Sequence, residues 1–176
     1  TTGVVYVGLV GDFGCLVPDH RGVLQYTSLR KKIEEPIDNF SDVYKTYSLG
    51  NTLYFCTSNY IFSYDEGERR VRVHTIPPMH VFLSFNLGDQ LGVTSFSDTL
   101  LCFAGKQFEK QTLAFPYEVK ERQIYGMLPL GGDTVLMAMN TCRFYYLLRN
   151  TGEVKEVAPN WGGAVLRSLQ AEEAIP

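Results

Sequence analysis

Apolar residues come in short runs along this chain, and a turn signal cuts off each run before it could fill one face of a helix. Tyr47-Ser48-Leu49-Gly50-Asn51-Thr52-Leu53-Tyr54-Phe55 sets the pattern: an apolar stretch, a Gly-Asn turn, a second apolar stretch. The phrase returns as Phe85-Asn86-Leu87-Gly88-Asp89-Gln90-Leu91-Gly92-Val93, and again as Leu128-Pro129-Leu130-Gly131-Gly132-Asp133-Thr134-Val135-Leu136. Its Leu-Gly step falls at 49, 87 and 130. A period of roughly forty residues, built from short strands and tight turns, is the signature of propeller blades, each made of four antiparallel strands. The expected fold class is therefore all-β: a β-propeller fragment of consecutive four-stranded antiparallel blades.

With the strands of a blade lettered a to d, the first full repeat predicts strands at 43–49, 52–57, 60–64 and 71–75. The second predicts 81–87, 91–95, 100–103 and 108–113, and the third 124–130, 134–139, 144–148 and 154–157. The c–d turns carry Asp65-Glu66-Gly67, Ala104-Gly105-Lys106 and Asn150-Thr151-Gly152. These supply residues that accept the positive φ of tight hairpins. Residues 4–7, 13–17 and 23–29 predict strands b, c and d of an earlier blade whose strand a is missing.

The organisation expected is a partial propeller over 1–160, with strands b–d at 4–29 and blades at 43–75, 81–113 and 124–157. Residues 161–176 read as a linker or the start of a further blade, where the spacing of Val165, Leu166 and Leu169 suits a short helix. Any other helix is expected only within 30–40. Closure is what removes exposed blade faces and edges. The expected partners are accordingly the remaining blades of a parent protein or a second copy.

Composition narrows the function classes. The 176 residues carry a formal net charge of −3, with Tyr and Phe at 11 each and a single Trp. No global field attracts nucleic acid. The basic clusters Arg30-Lys31-Lys32 and Glu68-Arg69-Arg70 neighbour acids and read as solvated turns. No run reaches the roughly 18 apolar residues of a membrane span, so no direct membrane contact by this segment is expected. The chain begins at Thr1 within an apolar strand pattern, as an excised piece of something longer would. Cys15, Cys56, Cys102 and Cys142 are too scattered for a metal site or disulfide framework, and read as unpaired thiols.

G-x-S-x-G, H-E-x-x-H and P-loop spacings do not occur, and no cofactor is expected. His20 falls in a turn, His74 shares the polar side of its strand with Arg70 and Arg72, and His80 follows Pro77-Pro78-Met79. No convergence of acids, histidines or metal ligands argues for an enzyme. Asn39-Phe40-Ser41 matches a glycosylation acceptor, a pattern frequent by chance.

In a blade of alternating strands, the b–c and d–a loops emerge on one face. The varied segments 30–42, 77–80 and 114–122 belong to that face, and binding residues concentrate on variable loops held by a rigid scaffold. The candidate ligand-binding residues are Asp12, Asn59, His80, Asp98, Asn140 and Trp161.

One family likeness bears on function. It rests on Val5-Tyr6-Val7-Gly8, Gly11-Asp12-Phe13-Gly14-Cys15-Leu16-Val17-Pro18-Asp19 and Gly22-Val23-Leu24-Gln25-Tyr26-Thr27-Ser28-Leu29. It continues through Phe40-Ser41-Asp42-Val43-Tyr44-Lys45 and Leu53-Tyr54-Phe55-Cys56-Thr57-Ser58-Asn59-Tyr60-Ile61-Phe62-Ser63-Tyr64-Asp65. Together these resemble the two-component regulator propeller repeats in the sensor regions of Bacteroidetes hybrid sensor kinases and related triple-tyrosine-motif regulators. The likeness covers most of 1–160, and departs from the family where Leu136-Met137-Ala138-Met139-Asn140-Thr141 replaces an aliphatic strand ending in Gly-Thr. The resemblance implies a periplasmic, ligand-sensing propeller, the extracytoplasmic part of a membrane receptor, with oligosaccharide as a ligand class. The alternative expectation is a propeller scaffold for protein–protein contact without a small ligand.

Overall fold

The computed structural model describes residues 4–77, 81–95, 99–116 and 123–157. The described residues form fifteen strands and one short 3-10 turn, arranged as four antiparallel sheets in chain order. The first sheet is β1 (Val5–Gly8), β2 (Phe13–Pro18) and β3 (Leu24–Ser28). The second runs β4 (Lys45–Leu49), β5 (Thr52–Cys56), β6 (Tyr60–Asp65) and β7 (Arg70–Thr75). The third is β8 (Val81–Asn86), β9 (Leu91–Ser95), β10 (Leu100–Phe103) and β11 (Phe108–Gln111). The fourth is β12 (Ile124–Gly131), β13 (Thr134–Met139), β14 (Phe144–Leu148) and β15 (Glu153–Glu156). Four sequential antiparallel strands make the blade unit of β-propellers, and the fold is a β-propeller fragment of consecutive blades.

Burial follows position within each blade. The middle strands β5, β6, β9 and β10 are buried along most of their length on both faces, which is why β5 and β10 read as apolar runs while β6 and β9 bury the polar Ser63, Thr94 and Ser95 as well. The last strand of the second blade, β7, begins exposed, buried, exposed at Arg70, Val71 and Arg72. In the fourth sheet β13 and β14 instead alternate buried with half-buried positions. Val135, Met137, Tyr145, Leu147 and Val154 are buried, while Leu136, Tyr146 and Leu148 on the other face are not.

The chain forms two compact units, one of residues up to Ser84 with Phe103–Phe108, the other of the remainder. In the first unit a core of Phe13, Leu29, Phe40, Val43, Phe55, Phe62, Tyr64 and Val71 joins the first two sheets. The close approach is visible at Gly8: a Cβ there would lie 2.4 Å from Val43 Cγ1. On the other face of the second sheet, Tyr54 meets Phe103 edge-on at 6.2 Å, and the Tyr47 hydroxyl donates to the Ser84 carbonyl at 2.6 Å. The second unit is built on Leu87, Leu100, Cys102, Ile124, Val135, Met137, Met139, Tyr145, Leu147 and Val154. In β12, Pro129 adjoins a register shift on the edge of its sheet, where a residue without an N–H is tolerated.

The long connection after β3 departs from a purely solvated loop. It opens with a 3-10 turn at Arg30–Lys32 and then contributes Phe40 and Val43 to the core. Arg30 ties it down: one guanidinium nitrogen donates to the Gly11 carbonyl at 2.5 Å, the other to Asn39 Oδ1 at 3.3 Å, and the group lies 5.0 Å from the Phe40 ring centroid. The expected helical segment at 162–174 lies outside the described residues.

The first sheet presents two unlike faces. Opposed residues in an antiparallel pair share a face. The register sets Tyr6 opposite Cys15 and Gly8 opposite Phe13 on the face that meets the second sheet. Val5, Leu16 and Tyr26 share the opposite face with Pro18 and Leu24. There Val5, Leu24 and Tyr26 are 49%, 51% and 41% exposed. The same register positions in the second sheet, Leu53 opposite Tyr64 and Tyr64 opposite Val71, pack into the core shared with the first sheet. The outer face of the first sheet thus repeats the surface that, one blade later, another blade covers.

Candidate functional site

Three candidate residues from the loops are described. Asp12 ends the β1–β2 loop, and its Oδ1 accepts from its own sheet: 2.8 Å from the Phe13 N–H and 2.8 Å from the Ser28 hydroxyl. Its carbonyl accepts from Leu9 at 2.9 Å. Those bonds hold the loop shut, a local job for the carboxylate. Asn59, between β5 and β6, is exposed; its carbonyl accepts from the Ile76 N–H at 2.9 Å, and the turn is organised by Thr57, whose Oγ1 accepts from the Tyr60 N–H at 2.9 Å.

Asn140 follows β13 in the second unit. Its N–H donates to the Gln123 carbonyl at 3.0 Å, while its Oδ1 is buried with no hydrogen-bond partner among the described residues. Such an orphaned acceptor is the kind of group that a donor from outside would satisfy. Asp12 and Asn59 belong to loops of different sheets, and no bond joins their side chains. His80, Asp98 and Trp161 lie outside the described residues.

His74 differs from the expected solvated surface residue. It is half-buried, with Nε2 2.8 Å from the Ser63 hydroxyl and its ring 4.7 Å from that of Phe103. Burial, then the nearby Arg72 charge, holds its pKa below the usual value, with Glu35 opposing. The reason is sheet geometry: His74 pairs with Ile61, so it faces the same side as the buried Ile61 and Ser63 of β6. Among the thiols, burial pushes Cys56 up to about 12 and Cys102 up to about 11, so neither is a ready nucleophile. Cys142 is exposed, and all four cysteines are free. Among the described residues no group of three His, Cys, Asp or Glu comes together as a metal ion would require.

The first unit holds a cleft of about 360 Å³ lined by Lys31, Lys32, Glu34, Glu68, Arg69 and Arg70. Two basic clusters far apart in sequence meet there. Glu34 reaches from the β3–β4 connection to Arg70, at the start of β7, with 3.2 Å between Oε2 and Nη2. That is the c–d end of the second blade, so the long connection is not confined to the loop face that strand parity assigns it. Sequence reading missed this cleft because each cluster has its own neighbouring acids. What could have hinted at it is the length of the connection, which lets it travel along a strand edge.

No family profile matches the sequence, and no curated protein does. Solved structures do share the fold. The N-terminal domain of Nup159 aligns over 88% of this chain and 40% of its own, with a TM-score of 0.57 and 12% identity. PorZ, an essential bacterial surface component of the type-IX secretion system of Porphyromonas gingivalis, aligns over 87% and 20%, at 0.55 and 15%. The extracellular domain of the putative one-component system BT4673 from B. thetaiotaomicron also aligns over 87% and 20%, at 0.55 and 18%. The chain therefore spans less than half the length of each, and at these identities the likeness is one of fold.

Proposed function

We propose that this chain is part of the periplasmic, ligand-sensing propeller of a membrane signalling receptor, of the two-component kind whose propeller repeats its sequence resembles, with an oligosaccharide as ligand. The observation that supports it best is a concurrence: the region from Val4 to Asp65 carries the sensor-repeat resemblance, and the same fold occurs in the extracellular domain of a putative one-component system. The segment contributes blades and loops, without catalysis, and signal output belongs to other parts of the parent protein. Its partners are the remaining blades of that protein or a second copy.

The exposed Cys142 offers a direct test in cells making the full-length protein. After the outer membrane is permeabilised, a maleimide that cannot cross the inner membrane labels Cys142. Labelling that requires lysis of the inner membrane would place the blades in the cytosol and overturn the reading.

A propeller scaffold without a small ligand is the second reading. It is favoured by the apolar outer face of the first sheet, where Val5, Leu24 and Tyr26 stand half-exposed. A thermal-shift survey of neutral and acidic oligosaccharides separates the two: a sensor is stabilised by at least one, a scaffold by none.

A further inference from the structure

We infer that the cleft between the 3-10 turn and the β6–β7 turn is a binding site for a small hydroxylated anion, a sugar bearing a carboxylate, sulfate or phosphate group. The inference names a ligand class and a site for the sensing function proposed above, and rests on that reading only for its biological role.

The acids of these two segments are turned to partners outside or beside the cleft. Glu68 pairs with Arg72 at 2.5 Å and Glu34 with Arg70 at 3.2 Å. Glu66 accepts from the Tyr6 hydroxyl, and Asp65 Oδ1 accepts from the Glu68 N–H at 2.9 Å. Of the first basic cluster, Arg30 is committed to Gly11, Asn39 and Phe40. Lys31, Lys32 and Arg69 are left lining one cleft with no ion-pair partner among the described residues. In a chain of net charge −3 they make a local concentration of positive charge. The lining sets four cationic side chains against the carboxylates of Glu34 and Glu68, and a concave site focuses the field of the excess cations.

Backbone geometry at Arg69 points the same way. Its φ is 54°, in the left-handed region that a long side chain rarely adopts, and its N–H donates to the Asp65 carbonyl at 2.8 Å. Such strain costs of order 1 kcal/mol and collects at functional positions. The turn has Gly67 two residues earlier, yet the left-handed position itself carries an arginine.

The lining also sets the remainder of the ligand. Lysine and arginine donate to the anionic group, while Glu34 and Glu68 offer carboxylate oxygens that accept from hydroxyls. No aromatic or aliphatic side chain lines the cleft, which disfavours an acyl chain or an apolar anion. The volume suits one or two sugar rings.

Isothermal titration of the chain at low salt tests the assignment with four probes: digalacturonate, the matching neutral galactose disaccharide, inorganic sulfate and inorganic phosphate. The expected result is binding of digalacturonate, at least tenfold tighter than the neutral disaccharide and weakened several-fold by about 0.3 M salt. Lys31→Gln with Lys32→Gln lowers affinity roughly tenfold or more. Arg69→Gly does likewise while leaving the thermal midpoint unchanged or higher, because glycine accepts the left-handed backbone. Equal binding of acidic and neutral disaccharides, or acidic-sugar affinity unmoved by these variants, overturns the site while leaving a sensing function standing. Sulfate or phosphate binding as tightly as the sugar overturns the hydroxyl part of the assignment. Binding of none of the four overturns the inference entirely, while the Cys142 labelling pattern tests the periplasmic placement separately.

Discussion

The ring of Phe13, on β2, stacks on that of Phe62, on β6, with centroids 4.8 Å apart and 25° between their planes. Phe55 and Phe40 complete the cluster, at 4.6 and 6.2 Å from Phe13. One ring from an incomplete three-stranded blade is thus the centre of the core that fixes it to the next. Phe13 is fully buried, so Phe13→Ala removes a ring that neighbours cannot replace. The expected loss is about 3–5 kcal/mol, read as a lower urea midpoint. A loss under about 1 kcal/mol would mean the first sheet is not held by this cluster.

A second position tests backbone geometry in the other unit. Gly152 has φ +74°, and a Cβ there would sit 2.5 Å from the Thr112 carbonyl oxygen. Its carbonyl accepts from the Ala114 N–H at 2.7 Å. Gly152→Ala should destabilise by more than the roughly 1 kcal/mol of left-handed strain alone, since the methyl also meets backbone. Thermal melts of the variant measure it, and an unchanged midpoint would contradict the contact.

His74 gives a pH dependence of known sign. Its folded pKa is lowered, burial first, so below its ordinary value of about 6.5 the unfolded chain takes up a proton more readily than the folded one. Its stabilising contribution is fully present above that value and declines as pH falls toward the folded pKa. His74→Gln keeps a polar group near Ser63 but does not titrate. The difference in thermal midpoint between pH 7.5 and 5.0 should therefore be smaller in the variant than in the wild type. An equal difference would assign the acid sensitivity to other groups.

The outer face of the first sheet predicts a dissociation between stability and association. Val5 and Leu24 are about half in water already, so Val5→Lys with Leu24→Lys should move stability by no more than about 0.5 kcal/mol per site. Self-association, followed by sedimentation velocity across concentrations, should fall in the double variant. Wild type that stays monomeric at the highest concentration, with no change on substitution, would show that this face does not recruit a second blade.

Much of the fold was legible residue by residue. The strands came from local causes: the alternation around Val71, the apolar runs of β5 and β10, and turn residues such as Gly50 and Gly88, both with positive φ. Hydrophobic period and turn chemistry act over a few residues and need no partner to be read. The candidate site was far less legible. Asp12 is a ligand-binding candidate by its place in a loop alone, and its engagement with Phe13 and Ser28 depends on how that loop closes.

What the sequence by itself determined was therefore the set of strands and their grouping into consecutive antiparallel sheets. Tertiary structure decided which faces are covered, so that His74 lies under Phe103 while Leu24 stands half in solvent. It also decided which charges meet. Arg30, Lys31 and Lys32 are alike in sequence, yet packing spends Arg30 on Gly11 and leaves the lysines beside Arg69. The physical reason is range: strand and turn preferences are local, whereas burial and ion pairing depend on segments that only the folded chain brings within a few ångströms of each other.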